Sequence, residues 1–464
     1  MVLLGFHVRG PRVCSQRPEP APGSRILTED LPSMKIHAKP SLLGLLLFVA
    51  GCAGNDPAAP VSRVVLIGIE SFSREHVLGM IDEGELPNLA RMIREGSRAK
   101  LISPDPLQSQ MLWATMLTGQ GAQKHQMAAE YVKLDAGVLC APSSMRIVPT
   151  IFQAATQNQA SVAAIGFPGT WPAEVVNGFN LSYGALPSRM TEAVEHTYER
   201  DPKDRAAFPA TLRDDALVHY TPVEDMDRRE TAPFFVLNEA EFTMLYDLPL
   251  GSVYRRENPL KDFAITLMRD RAQVTLAEQM LSDYPIRLAG VHIELPEALQ
   301  LPYWGASYPD HYELPANSVR RYGKTVDEAY RQIDAAVGRL IQAAGEGAVI
   351  CVAGNRGFGN VSVADPETGQ ERLVPAQSNE SLLLLYGQGI LRGQDLGTVD
   401  LVDIAPTLLT ALDLPVGDRM DGRVLEPAFT EGFLASHPRK ATEPYSEDFV
   451  QNPARYPSGM AGEQ

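Results

Sequence analysis

Apolar residues in this chain gather into short solid runs separated by longer amphipathic stretches. Val64–Ile69 (VVLIGI), Ser161–Ile165, Ile286–Ile293 and Ala348–Ala353 (AVICVA) are mostly apolar and do not alternate with polar residues. That pattern predicts strands buried on both faces of a parallel sheet. Ala99–Ile102 and Leu382–Tyr386 read as further strands. Between the strands the period changes to that of a helix. Pro87–Glu95 carries proline at its first turn and Gly96 as its stop, a pairing that brackets helices. Trp113–Leu117, Pro149–Gln157, Asp262–Met280 and Val319–Ala344 follow, the last with Ile333, Val337, Leu340 and Ile341 on one face. Val402–Leu412 is a helix interrupted early by Pro406. Alternating strands and helices predict an α/β fold with a central, mostly parallel sheet and helices on both faces. Residues from about 180 to 260 break this rhythm with DPKDR, ETAPFF and DLPLG, and read as an inserted cap. Beyond about Thr430 the tail turns polar and proline-bearing, which predicts a segment wrapped on the surface or disordered.

Such a sheet focuses attention on its strand ends, because ligands of open α/β sheets bind just outside the carboxyl ends of the strands. Ala348–Ala353 breaks there into Gly354-Asn355-Arg356-Gly357, the composition of a loop. Val64–Glu70, Leu107–Trp113 (LQSQMLW) and Leu288–Glu294 are expected to end in the same crevice. Ser109 falls just upstream of a predicted helix, where a nucleophile or an anion would feel the helix dipole.

Composition narrows the partners. A net charge of −16 argues against nucleic acid and against an anionic membrane surface. The amino terminus holds a separate signal. Residues 1–33 are polar and proline-rich, and translation is expected to start at Met34. Lys35 and Lys39 precede an apolar run, Leu42–Ala50, about half the roughly 20 residues that span a bilayer, so 34–51 reads as a signal peptide. Leu-Phe-Val-Ala-Gly-Cys resembles the bacterial lipobox. That resemblance implies lipid on Cys52, a tether over 52–62 and a main domain over 63–430, with 431–464 as the tail. Ala53 lacks the Asp associated with inner-membrane retention, so the expected location is the outer membrane of a bacterial envelope, facing periplasm or surface. Cys351 lies mid-strand and Cys140 in a loop, and both are expected to be unpaired thiols.

Four stretches, LPNLARMIREGS (Leu86–Ser97), WATMLTGQGAQKH (Trp113–His125), FPGTWPAEVVNGF (Phe167–Phe179) and VDIAPTLLTALDLPVGDRMDGRVL (Val402–Leu425), resemble the alkaline phosphatase superfamily in its type I phosphodiesterase/nucleotide pyrophosphatase branch. The resemblance implies an alkaline phosphatase-like sandwich, two zinc ions and a Thr or Ser nucleophile for in-line displacement at phosphorus. Carried over position by position, the nucleophile falls on Ser109 and the first ligand on Glu70. The third-position carboxylate falls on Glu294, and the histidine after it on Ala298 or Leu301. The Ser-Asp-His-Gly motif falls on Gly354-Asn355-Arg356-Gly357, and the last histidine near Gln377. Zinc takes imidazole, thiolate or carboxylate, and no matched position is a histidine, so the expectation is a degenerate site without metal.

Arg356 is then the expected counter-ion of Glu70, Glu294 or both. His292, two residues before Glu294, is read as a core histidine, and the Asp310-His311 pair as surface. His125 matches a residue that the family keeps for loop structure, and Trp171 is placed over the crevice or in simple packing. Three functions stay open: a non-catalytic envelope lipoprotein that binds a small anionic or phosphorylated ligand, an ester hydrolase using Ser109 with rearranged ligands, and an envelope scaffold acting through its surface.

Overall fold

The carboxyl ends of three neighbouring strands form the crevice, and the strand register explains why. The computed structural model describes residues 60–128, 131–134, 137–187, 205–247, 258–364 and 371–446. The signal segment, Cys52, most of the tether, part of the cap and the end of the tail lie outside these residues, as does the side chain of Cys140. The strands of the main sheet are β1 (Arg63–Ile69), β2 (Ser97–Ile102), β3 (Val162–Ile165), β4 (Gly178–Leu181), β5 (Ala207–Phe208), β6 (Leu288–Ile293) and β7 (Ala348–Gly354). A hairpin, β8 (Gly357–Ala364) and β9 (Glu371–Ser378), stands apart, and β10 (Glu380–Gly387) and β11 (Gln394–Asp400) complete the sheet.

The order across the sheet is β11-β2-β10-β7-β1-β6-β3-β4-β5. Only β10 and β5 run against the others. The parallel core β7-β1-β6 is in register, with Ile69 opposite both Gly354 and Ile293. The next residue on each strand is therefore Asn355, Glu70 and Glu294, at one level above the sheet.

Both faces are covered, which is why these strands are continuously apolar. Val65, Ile67 and Ile69 pack on one side, with α1 (Arg74–Asp82), α2 (Pro87–Glu95) and two long helices, Pro259–Asp283 and Thr325–Ala344. Val64 and Leu66 face the other side, with α3 (Ser109–Thr118) and the helix Ile404–Ala411. The main-chain N–H groups that open α2 are satisfied from across the core, Leu89 N–H donating to Asp334 at 2.8 Å and Asn88 N–H at 3.2 Å. A buried carboxylate thus caps a helix that has no capping side chain of its own.

Several boundaries differ from those the pattern predicts. Leu107–Trp113 is no strand end, because the helix α3 already begins at Ser109. Val319–Ala344 is two helices, Ala316–Tyr322 and Thr325–Ala344, broken at Gly323-Lys324. The polar hairpin β8–β9 and the edge strand β11 carry too few buried residues to stand out in the sequence. In the region read as a cap, the described part rests on the helix Pro259–Asp283, with Phe234 and Phe235 edge-on to Phe263. The start of the tail is fastened too: Phe433 is fully buried, and Ala441–Thr442 pairs with Val416–Gly417.

Candidate active site

Side chains alternate along a strand, so Glu70 emerges on the same face as Leu66 and Gly68, the face covered by α3. Gly68 is needed there, since a Cβ at that position would lie 2.6 Å from Trp113 and 2.8 Å from Phe167. The indole that closes over Gly68 reaches Glu70, Trp113 Nε1 donating to Glu70 Oε2 at 2.7 Å. Ser109, the first residue of α3, donates its hydroxyl to the same oxygen at 2.9 Å. His292 shares this face from β6, with Nε2 3.2 Å from Glu70 Oε2. The other oxygen, Oε1, accepts from Asn355 Nδ2 at 2.6 Å and pairs with Arg356 Nη2 at 2.8 Å.

Arg356 is buried and its donors are committed. Nη2 also pairs with Glu297 Oε2 at 2.6 Å, Nε donates to Ser71 Oγ at 3.1 Å, and Nη1 donates to the Leu107 carbonyl. Ser71 Oγ in turn donates to Glu297 at 2.7 Å, and Ser71 N–H donates to Asn355 Oδ1 at 3.1 Å. Ser71 holds this place with a positive φ of 53°. Burial by itself would raise the pKa of Glu70. The Arg356 guanidinium and the hydrogen bonds from His292 and Trp113 outweigh it and hold the carboxyl far below the usual range.

Glu294 belongs to a second network. It pairs with Arg269 Nη2 at 2.6 Å and accepts the Tyr183 hydroxyl at 2.7 Å. Asp270 Oδ2 accepts the N–H groups of Glu294 and Leu295 at 2.8 and 2.7 Å. Burial opposes ionisation of Glu294 as well, but Arg269 prevails and brings its pKa down to about 2.

Of the two partners expected for Arg356, the structure brings one to it. Glu70 is a partner, but Glu294 is not, because Arg269 and Tyr183 claim it from the opposite side. Glu297, in the first turn of the helix Leu295–Ser307, pairs with Arg356 as well. Ala298 is buried in that helix and Leu301 is exposed on it. Gln377 lies on the hairpin, opposite Phe358 and half-buried. Asp310 and His311 are exposed on a short helix, Pro309–Tyr312, where His311 Nδ1 meets Asn360 at 3.3 Å. His125 organises its loop, with Nε2 2.9 Å from Thr115 Oγ1 and Nδ1 accepting Met127 N–H at 3.0 Å. Trp171 is half-buried, and its carbonyl accepts Ser143 N–H at 2.6 Å.

Glu297, Arg269 and Tyr183 are the site residues that the sequence reading missed. One signal was available for Arg269, a charged Arg269-Asp270-Arg271 run directly after the mostly apolar Phe263–Met268. Among the described residues, no cluster of three His, Cys, Asp or Glu is arranged to hold a metal ion.

No curated protein matches the sequence. Among solved structures, the chain is similar to a quadruple mutant of the alkaline phosphatase PafA, with 10% identity, a TM-score of 0.46, and 80% of this chain and 99% of that chain covered. It is also similar to murine ectonucleotide pyrophosphatase/phosphodiesterase 5, with 10% identity, a TM-score of 0.43, and 76% and 95% covered. A 2-O GAG sulfatase gives 10% identity and a TM-score of 0.47, with 83% and 76% covered. The family model described as type I phosphodiesterase/nucleotide pyrophosphatase matches residues 64–404. The chain belongs to the type I phosphodiesterase/nucleotide pyrophosphatase family, and Glu70, Ser109, Glu294, Asn355 and Arg356 stand where its strand ends meet.

Proposed function

We propose that this protein keeps the phosphodiesterase fold as a non-catalytic member, its two-metal site exchanged for an internal ion-pair network, and that it acts by binding at the cell envelope. The observation that carries this reading is the guanidinium of Arg356 inside the crevice, shared between Glu70 and Glu297. The residues present do not fit two zinc ions. A guanidinium is charged at every working pH and repels a dication. The carboxylate oxygens that would coordinate metal are taken by Arg356, Asn355, Trp113 and Arg269.

A specific observation keeps hydrolysis as the second reading: Ser109 Oγ lies 2.9 Å from the Glu70 carboxylate at a helix amino terminus. Glu70 makes a weak general base, however, because the neighbours that hold it ionised also lower its proton affinity. A small phosphorylated ligand at Ser109 would have to compete with Glu297 for Arg356, and that competition defines the binding mode to look for. The envelope placement rests on the lipobox-like Leu47–Cys52, and lipid on Cys52 would supply the membrane contact.

The test is metal content and ester turnover on the full chain after incubation with excess zinc and manganese, using phosphodiester and phosphomonoester substrates. The reading expects no stoichiometric metal and no turnover that Ser109→Ala abolishes. About two metal equivalents with Ser109-dependent turnover would overturn it. For the placement, Cys52→Ser should move the protein from the membrane fraction to the soluble one.

A further inference from the structure

Ser71 is pinned on every side. It is fully buried and holds a left-handed φ of 53°, which residues other than glycine rarely adopt. Each of its polar groups is engaged. The N–H donates to Asn355 Oδ1 at 3.1 Å, and the carbonyl accepts Gln300 Nε2 at 2.8 Å. The hydroxyl accepts from Arg356 Nε at 3.1 Å and donates to Glu297 Oε2 at 2.7 Å. Backbone of this kind persists where its surroundings over-determine it, and it gathers at ligand clamps and switch turns.

Two buried donors thus converge on one oxygen, with Arg356 Nη2 2.6 Å and Ser71 Oγ 2.7 Å from Glu297 Oε2. A guanidinium N–H and a hydroxyl aimed at one point make an oxyanion site, and a side chain of the protein itself fills it. The two carboxylates on Arg356 are not equivalent. Glu70 is 3% exposed and also accepts from Trp113, Ser109 and Asn355. With Arg356 it forms a pair that is neutral by itself. Glu297 is a second anion on the same guanidinium, and its side chain keeps 10% of its surface in solvent. It is the partner that can be exchanged without stranding the cation.

We propose that Glu297 is an internal stand-in for a ligand: its carboxylate occupies an oxyanion site built by Arg356 and Ser71, and a small anion with a phosphoryl or carboxylate end binds there by displacing it to solvent. The inference rests on the reading of Arg356 as the replacement for metal, and adds that Glu297 holds the site shut. A tethered carboxylate competes at high effective concentration, so the wild type binds free anions weakly. The experiment is calorimetric titration of the full chain and of Glu297→Ala with inorganic phosphate and with acetate, which replaces the side-chain atoms removed. Glu297→Ala, native by circular dichroism, should bind at least one of the two saturably and about ten times or more tightly than the wild type does. The tighter of the two identifies the end group of the ligand. Ser71→Ala keeps the same demand on φ and removes the hydroxyl; added to Glu297→Ala, it should weaken binding about tenfold, the loss of one charge-assisted hydrogen bond. If Glu297→Ala does not fold, Glu297→Gln, which keeps the width of the side chain and removes its charge, should still bind more tightly than the wild type. Wild-type affinity in a folded Glu297 variant overturns the proposal, and so does the absence of saturable binding to it. Undiminished binding on adding Ser71→Ala overturns it as well. None of these outcomes touches metal content or turnover, which judge the reading of the crevice separately.

Discussion

Replacing Arg356 by alanine removes the one cation that Glu70 and Glu297 share. The two carboxylates stay behind, 3% and 10% exposed. Breaking a buried ion pair from one side costs about 3–5 kcal/mol, because the remaining charge is neither solvated nor paired. Glu70 retains Asn355, Trp113 and Ser109 as donors, which places the loss within that range and not above it. With an unfolding entropy near 2.1 cal/mol/K per residue, a domain of roughly 400 residues has about 0.8 kcal/mol/K, so the melting temperature should drop by about 4–6 °C.

The pH dependence gives the sharper test. In the wild type the folded pKa of Glu70 is depressed, so its contribution is complete above the unfolded value near 4.3 and is lost as pH falls toward the folded one. Without Arg356, burial is no longer outweighed and the folded pKa moves upward, so acidification relieves the variant. The gap between wild type and Arg356→Ala should therefore be widest above about pH 6 and narrow toward pH 4. Urea denaturation followed by tryptophan fluorescence, repeated from pH 4 to 8, reads this directly. A gap below about 1 kcal/mol at pH 7.5, or one that widens on acidification, would refute the argument.

Three further outcomes follow from the same contacts. Glu294→Gln leaves Arg269 buried with Asp270 at 3.3 Å as its one charged partner among the described residues; it should cost about 3 kcal/mol at pH 7 and flatten the acid limb of the stability curve in urea titrations, because a carboxyl with a folded pKa of about 2 is removed. Gly68→Ala drives a methyl into Trp113 and Phe167 and should destabilise by about 1–3 kcal/mol with altered tryptophan emission, and an unchanged midpoint would contradict the packing. Cys351 is fully buried and burial pushes its thiol pKa well up, so it should react with a thiol reagent only at the rate of unfolding.

Much of this architecture was legible in the sequence because buried parallel strands are written as unbroken apolar runs. Val64–Ile69 and Ala348–Ala353 name the centre of the sheet, and a period of two puts Gly68, Glu70 and His292 on the face that α3 covers. Ser109, Asn355 and Arg356 were found for the same reason, since strand ends and helix starts are local features. The hairpin Gly357–Ser378 was not visible, because its stability comes from pairing, with only Phe358 fully buried on its first strand beyond the glycine that starts it.

The pairing of charges was beyond the sequence altogether. Glu294 and Glu297 are three residues apart and chemically alike, and nothing local says which one Arg356 will meet. The tertiary structure decides it. Arg269, from a helix 25 residues upstream, and Tyr183, from the loop after β4, approach Glu294 on one side of the strand end. Glu297 sits one turn further on and faces Ser71 and Arg356 on the other. The sequence determined which residues reach the crevice, through strand parity and helix termini. Which of them share a proton or a charge was set by side chains arriving from distant parts of the chain, because Coulomb attraction depends on distance in space and on burial, and neither is encoded by spacing along the backbone.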